Sequence, residues 1–254
     1  MTPRVVVVDD DLASASVIAK LLRRLGCEVT THTDPQAALS VALQGDIDLV
    51  SLDLGMRGLD GRQLLALIRS HEHSQRAPSV PLITVTGHVT AADRADALAQ
   101  GFAAHLGKPV MIDALRRALS RALMLRGDLH RTRHTADKDS IEARMREVRG
   151  QAPTEGTLQA GAGMALAAEQ RGRAALQQGL RLAFVGNAKA ARAPLAAFAR
   201  AAEGIGAQSL RDRFEELCAR LDAGDDDALE TAAVLARAEL DRVIFTLREQ
   251  ARAG

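Results

Sequence analysis

Over residues 1–125 the sequence alternates between short β-branched or apolar runs and longer segments in which apolar residues recur every three to four positions. These short runs, β-branched in the first, second and fourth and otherwise mainly apolar, occupy residues 5–8, 29–32, 49–52, 82–85 and 103–106. Such runs are typical of buried strands, and the segments between them are typical of amphipathic helices. Five strand–helix pairs predict an α/β fold, a doubly wound, five-stranded parallel sheet with helices on both faces. Ligand chemistry in such a sheet collects at the carboxyl ends of the strands.

Beyond Leu125 the strand pattern disappears. Residues 126–163 are predicted to form a charged helix and then a linker, because the segment ends in "GQAPTEGTLQAGAG". Residues 164–254 carry Ala and Leu with helical period, and short turns divide them into four segments, which predicts an all-α helical bundle. Pro194 is placed in the first turn of the second segment. The predicted domains are therefore 1–125, 126–163 and 164–254.

The composition limits the partners that the chain can have. It carries 33 basic and 32 acidic residues, and residues 151–254 carry 13 Lys and Arg against 14 Asp and Glu, a balance that argues against nucleic acid. No stretch of about 18 apolar residues occurs, and the apolar run at the amino terminus is too short for a signal peptide. The two cysteines, Cys27 and Cys218, are far apart and are predicted to be reduced and buried. We expect a soluble, cytoplasmic protein with no membrane segment.

Three acids follow the first and third strand-like runs. Asp9 and Asp10 end the first run, and Asp53 ends the third. In a parallel sheet of this type these two ends lie side by side, so that the three carboxylates meet. Like charges at such short distances are unstable unless a cation joins them, and an all-oxygen ligand set favours Mg²⁺. The sequence therefore predicts a magnesium site at this edge of the sheet.

The fourth and fifth runs end in groups that suit a phosphoryl group. Thr86 offers a hydroxyl after the fourth run, and Lys108 in "GKPV" offers an ammonium after the fifth. Together with the acids and a hard cation, they form a site for a phosphoryl group carried on a carboxylate. The metal and Lys108 would offset charge on the transferred oxygens, which is the main requirement of phosphoryl transfer. Each residue alone is better explained as a cap or a surface charge, but their convergence favours a site.

These motifs resemble the receiver domain of two-component response regulators, which has a flavodoxin-like fold. The matching stretches are "VVVVDDD", "DLVSLDLGMRGLDG", "ITVTG" and "GKPV". The resemblance implies that Asp53 is the phosphorylated nucleophile, that it accepts phosphate from a phosphohistidine donor, and that the domain dephosphorylates itself. It also implies that Thr86 and Lys108 hold the phosphoryl oxygens. The implied Mg²⁺ ligands are Asp10 and Asp53 directly, Asp9 mostly through water, and Gly55 through its carbonyl oxygen.

Two positions depart from the pattern of this family. The family usually has proline where Arg57 stands, which predicts a looser loop after the acceptor. Its switch aromatic, three residues before the lysine, is here His105. By the resemblance, Thr86 moves toward the phosphate and the side chain at position 105 turns inward, so that protonation of the histidine would matter. A degenerate, unphosphorylated receiver is the alternative, although no acidic or lysine position is missing.

A second, weaker resemblance covers residues 198–225, "FARAAEGIGAQSLRDRFEELCARLDAGD", which look like the later part of a histidine phosphotransfer domain. When "GIGA" is aligned with the turn of that family, Ala196 occupies the position of the reactive histidine. No histidine occurs after His134, so this region cannot relay phosphate through one. Two interpretations stay open, a degenerate phosphotransfer bundle kept for protein contact and an unrelated Ala-rich bundle.

The leading functional hypothesis is a response regulator in a two-component phosphorelay, in which phosphorylation of Asp53 switches the protein contacts of the helical domain. The expected partners are a histidine kinase or histidine phosphotransfer protein, a downstream protein, and a second copy of the chain. Two alternatives are a DNA-binding transcriptional regulator and a relay intermediate that passes phosphate onward. No phosphate-binding glycine loop occurs, so we expect a binding output rather than a separate catalytic domain.

Overall fold

The computed structural model describes residues 2–43, 47–75, 79–87, 89–131 and 155–253. The chain forms two compact units, one around a five-stranded sheet and one made of the C-terminal helices. An α/β unit followed by an all-helical region is the fold class that the sequence predicts. Of the connecting segment predicted over 126–163, residues 132–154 lie outside the described residues.

The α/β unit is built on a parallel sheet in the strand order β2-β1-β3-β4-β5. Its strands are β1 Arg4–Val8, β2 Glu28–His32, β3 Leu49–Asp53, β4 Leu82–Thr86 and β5 Ala104–Gly107. Each strand coincides with one of the short runs to within about one residue at either end, so the predicted five-stranded parallel sheet is confirmed. Because the strand order reverses at β1, the carboxyl ends of β1 and β3 lie side by side at the switch point.

Helices flank both faces of this sheet. They are α1 Leu12–Arg24, α2 Pro35–Ala42, α3 Gly61–Ser74, α4 Ala91–Gln100 and α5 Ile112–Arg131. Helices α1 and α5 pack against each other on one face, whereas α2, α3 and α4 contribute side chains to the core on the other. Since strand side chains alternate between faces, covering both faces buries every residue from Val5 to Val8.

Aspartates begin the first three helices. Asp11, Asp34 and Asp60 each accept a hydrogen bond from a first-turn backbone amide, of α1, α2 and α3 respectively. These bonds satisfy amides that have no partner inside the helix and stabilise each helix start by about 1 kcal/mol. The caps fix three helix starts close to the carboxyl ends of the strands, where the predicted site lies.

Gly61, the first residue of α3, lies against the backbone of β3. A Cβ at this position would be 2.6 Å from the carbonyl oxygen of Asp53 and 3.1 Å from Leu54 Cδ2. A backbone oxygen in a sheet cannot move aside, so only a residue without a side chain allows this close approach. Gly61 therefore sets where α3 lies relative to the end of β3.

The C-terminal region contains four helices within its described residues. They are α6 Glu155–Phe184, α7 Ala188–Gly204, α8 Gln208–Ala223 and α9 Asp226–Ala253. Helices α6 and α8 each pack against both α7 and α9, so that the contacts close into a ring. Phe198 and Phe214 are buried inside, with ring centroids 4.7 Å apart. The predicted all-α bundle is confirmed.

Two glycines let α6 approach its neighbours closely. A Cβ at Gly172 would lie 2.6 Å from Leu240 Cδ2, and a Cβ at Gly179 would lie 2.7 Å from Leu195 Cγ. Glycine inside a helix costs about 1 kcal/mol relative to alanine. The two leucines pack directly against the backbone of α6 at these glycines, and this packing offsets that cost. A methyl group at either position would overlap a leucine side chain.

The helix boundaries differ from the sequence prediction in two places. Residues 155–163, predicted to belong to a linker, form the start of α6, and Pro194 lies in the interior of α7 rather than in its first turn. Helix α7 begins earlier because Asn187 caps it, with Oδ1 accepting a hydrogen bond from Ala190 N at 3.2 Å. Gly156, Gly161 and Gly163, which indicated a linker, therefore lie within α6.

The structure bears on the predicted state of the two cysteines and on the predicted lack of a membrane segment. Cys27 and Cys218 are free and buried, as predicted, and burial raises the pKa of each thiol. Both thiols are therefore protonated and poorly reactive at neutral pH. Within the described residues, no helix combines the length and the apolar character that a membrane span requires.

We expect Gly61→Ala to destabilise the α/β unit by about 1–3 kcal/mol, because the new methyl group would overlap a backbone oxygen. Hydrogen–deuterium exchange of peptides that cover β3 measures this loss within that unit alone. Gly87→Ala is the matched control, since a Cβ there would meet no atom within 4 Å. Equal exchange in the two variants would contradict the role given to Gly61.

Candidate functional site

The ends of two adjacent strands bring the predicted acids together. Val8 of β1 pairs with Leu52 of β3, so Asp9, directly after β1, and Asp53, the last residue of β3, lie at the same edge of the sheet. One carboxylate oxygen from each of Asp9, Asp10 and Asp53 lies within 4.8 Å of the other two. The convergence expected from the sequence is present in the structure.

This acidic cluster suits a hard divalent cation. All three donors are carboxylate oxygens, and oxygens bound to one Mg²⁺ lie about 3–4 Å apart. The side chain of Asp9 is 1% exposed and that of Asp53 is 13% exposed, so two of the charges are largely removed from water. Holding like charges this close in a buried place is unfavourable without a cation. The residues present therefore fit Mg²⁺.

Lys108 already places one positive charge among these acids. Its Nζ donates hydrogen bonds to Asp9 Oδ2 at 2.7 Å and to Asp53 Oδ2 at 2.8 Å. Partial burial by itself would lower the pKa of the Lys108 ammonium, but the hydrogen bonds and the attraction of Asp53 and Asp9 together raise it above its ordinary value. Lys108 is therefore charged at neutral pH and joins the ends of β1, β3 and β5.

Backbone N–H groups also position Asp53 and the strand end beside it. Gly55 N donates to Asp53 Oδ1 at 3.0 Å, on the carboxylate oxygen that Lys108 does not contact. Lys108 N donates to the carbonyl oxygen of Thr86 at 2.8 Å, which ties the end of β5 to the end of β4. Both oxygens of Asp53 thus have a donor, and the carboxylate is oriented before any ligand arrives.

Thr86 and His105 lie on adjacent strands close to Asp53. Asp53 pairs with Val85 in the sheet, so Thr86 is one residue further along β4. Thr84 pairs with His105, which places the side chains of Thr84, Thr86 and His105 on one face of the sheet. His105 is 7% exposed and Thr84 is 0% exposed. The imidazole at the proposed switch position is therefore inside the protein in this structure.

The loop after Asp53 is attached to the acidic cluster through Arg57. Arg57 N donates to Asp10 Oδ2 at 3.3 Å, and Arg57 Nε lies 3.7 Å from the same oxygen. A proline at this position could make neither contact, because it has no N–H and no charge. The structure thus shows a direct attachment where the sequence predicted a looser loop.

Two contributions to the site were not predicted from the sequence. Asp11 caps α1, and its amide donates to Asp9 Oδ1 at 3.0 Å, so the third acid of "DDD" orients the first. A helix cap before an apolar segment is a signal that could have revealed this role. The contact of Arg57 with Asp10 joins positions 47 residues apart, and no local pattern indicates it.

Comparison with known proteins agrees with this geometry for one half of the chain. Residues 5–120 match the response regulator receiver domain family. The sensor protein GacS of Pseudomonas syringae pv. syringae is 35% identical over 108 residues, which are 42% of this chain and 12% of GacS. The response regulator protein FleR of Pseudomonas aeruginosa is 37% identical over 116 residues, 45% of this chain and 23% of FleR. The chain therefore spans less than a quarter of the length of either relative.

Among solved structures, the response regulator receiver domain protein from Clostridium thermocellum is 27% identical to this chain, with a TM-score of 0.44. The match covers 50% of this chain and 98% of the Clostridium protein. The family match ends at residue 120, so the four C-terminal helices lie outside it. The motifs at the strand ends, the acidic cluster with its lysine and the family match coincide in the same segment. Residues 5–120 are a response regulator receiver domain of two-component signalling, and an all-helical region follows it.

Proposed function

We propose that the chain is a response regulator in which Asp53 accepts a phosphoryl group and the helical region then changes its protein contacts. The position of Asp53 carries this proposal. Its Oδ2 accepts a hydrogen bond from Lys108 Nζ at 2.8 Å, and one of its oxygens lies within 4.8 Å of oxygens of Asp9 and Asp10. A carboxylate held between a lysine and other metal-binding acids suits phosphoryl transfer, which depends on positioning and charge stabilisation.

In the proposed transfer, a carboxylate oxygen of Asp53 attacks the phosphorus of a donor phosphohistidine. An O–P bond forms while the P–N bond breaks, and the imidazole leaves with the electron pair of that bond. Lys108 and the hydroxyl of Thr86 donate hydrogen bonds to the phosphoryl oxygens and stabilise the charge that develops there. Hydrolysis of the acyl phosphate by water later returns Asp53 to a carboxylate.

The acidic cluster holds the metal in this proposal. Asp10 and Asp53 would hold the metal directly, Asp9 would act mostly through water, and Gly55 would offer its carbonyl oxygen. When bound, Mg²⁺ offsets the negative charge of the carboxylates and of the phosphoryl group. Without that offset, three carboxylates would repel the incoming phosphate, so we expect phosphorylation to require the metal.

The signal is proposed to pass from Thr86 to His105. When the hydroxyl of Thr86 turns toward the phosphoryl group, the packing on its face of the sheet changes. Thr84 and His105 are buried on the same face, and side chains in a close-packed interior move together rather than singly. A change at Thr86 is therefore coupled to the position of the imidazole.

We propose further that the helical region is a phosphotransfer-like bundle without its reactive histidine. Ala196, at the position of that histidine, is partly exposed on α7, whereas Phe198 and Ala199 are buried. A methyl group cannot accept phosphate, and residues 151–254 contain no histidine. Protein binding is therefore favoured over onward phosphate transfer as the output. The donor is a histidine kinase or a histidine phosphotransfer protein, and we place the reaction in the cytoplasm.

Incubation of the full chain with a small phosphodonor and Mg²⁺ should add one phosphoryl group at Asp53. Asp53→Asn should stay unmodified, because an amide is not a nucleophile here. Lys108→Ala should react about a hundredfold more slowly, since it loses a donor to the developing charge. Intact-mass spectrometry over time measures all three.

Asp34→Asn is the control for this experiment. It makes the same chemical change at the cap of α2, where asparagine caps equally well, and should be phosphorylated like the original chain. Phosphorylation of Asp53→Asn at the original rate, or no loss of phosphorylation when Mg²⁺ is chelated, would overturn the proposed function.

His105→Ala should leave phosphorylation of Asp53 unchanged but remove the response of β4 and β5 to it, because no imidazole is left to follow Thr86. The response is measured as the change in hydrogen–deuterium exchange of peptides from residues 82–107 on adding beryllofluoride and Mg²⁺. His71→Ala, a histidine exchange near the end of α3, should keep the full response. A full response in His105→Ala rejects the switch.

The output is tested by affinity capture with the full chain as bait. Proteins that bind when beryllofluoride and Mg²⁺ are present, and that Asp53→Asn fails to retain under the same conditions, are the expected phosphorylation-dependent partners. Identical protein sets on the two baits would count against a phosphorylation-dependent binding output.

A further inference from the structure

Each of the three acids in the cluster is next to a positive charge of the protein. Asp9 and Asp53 accept hydrogen bonds from Lys108 Nζ at 2.7 and 2.8 Å. Asp10 faces a different cation, since its Oδ2 lies 3.7 Å from Arg57 Nε and accepts a hydrogen bond from Arg57 N. A divalent cation that enters this cluster therefore meets carboxylates that are already partnered.

The two positive side chains are held very differently. The side chain of Lys108 is 26% exposed and lies between two largely buried carboxylates, where its attraction to them is weakly screened. The side chain of Arg57 is 96% exposed, and its ionic contact with Asp10 is long. An exposed ion pair contributes about 0–1 kcal/mol, so the Arg57 guanidinium is the cation that gives way at little cost.

We propose that Arg57 competes with Mg²⁺ for Asp10 and thereby sets the metal affinity of the site. This inference rests on the proposed function, because it assigns Asp10 as a metal ligand. The two oxygens of the Asp10 carboxylate share one negative charge, so the guanidinium weakens metal binding whichever oxygen the metal takes. Arg57 also remains tied to Asp10 through its backbone N–H, which keeps the guanidinium near the site after it has been displaced.

Dissolved salt should weaken the competition between Arg57 and Mg²⁺. Because the guanidinium of Arg57 is exposed, dissolved salt screens its charge over a Debye length of about 10 Å at 0.1 M. The charges of Asp9, Asp53 and Lys108 are screened less, since they are largely buried. The part of the metal affinity that Arg57 controls should therefore shrink as the salt concentration rises.

The test is a Mg²⁺ titration of the full chain, followed by the amide signals of residues 9–11 and 53–57 in ¹H–¹⁵N spectra, which report binding without any phosphorylation. Arg57→Gln removes the charge and keeps the backbone N–H, and should bind Mg²⁺ about two- to fivefold more tightly, the equivalent of an exposed ion pair. Arg57→Lys keeps the charge and should stay close to the original affinity. High salt should reduce the difference between Arg57→Gln and the original chain.

Arg24→Gln is the matched control, because it removes the same charge at the far end of α1, about 20 Å along the helix from Asp10. It should bind Mg²⁺ like the original chain. Equal affinity in Arg57→Gln and Arg24→Gln would overturn the inference and leave the proposed function standing, as would equal tightening in Arg57→Lys and Arg57→Gln. If the original chain itself bound no Mg²⁺, the inference and the proposed function would fall together.

Discussion

Three carboxylates that repel one another meet at one edge of the sheet, and the neighbouring groups of the receiver unit act against that repulsion. Asp9, Asp10 and Asp53 each bring an oxygen within 4.8 Å of the others, and water screens two of them poorly. Lys108 opposes that repulsion from the end of β5, although β4 lies between β5 and β3. A long, flexible side chain with a charged end can reach across that strand, which is why lysine suits this position.

The backbone around the site turns this balance of charges into a defined geometry. Gly55 and Lys108 donate to opposite oxygens of Asp53, and Gly61 brings the start of α3 against its carbonyl oxygen. None of these contacts depends on a flexible side chain other than that of Lys108. The carboxylate of Asp53 is therefore oriented by the fold itself, and the phosphoryl transfer proposed for it would need little reorganisation.

Apolar packing holds both units of the chain, and the units differ in where their charged groups are concentrated. The receiver unit concentrates charge at one edge of a buried sheet, whereas the bundle is held by packing of alanine, leucine and two phenylalanine rings, with Gly172 and Gly179 at its closest helix contacts. In the proposed function, this packed bundle binds protein partners and does not transfer phosphate itself.

Periodicity and residue type were enough to predict the five strands, the acids, Thr86 and Lys108 that follow them, and the helical nature of the second half, because both are local properties of the chain. Those local signals misplaced the start of α6 and the position of Pro194 within α7, since a glycine or a proline weakens a helix locally without fixing where the helix begins. The contact of Arg57 with Asp10 and the bridge from Lys108 to Asp9 and Asp53 are seen only in the folded chain, because they join residues far apart in sequence whose distances no local pattern encodes.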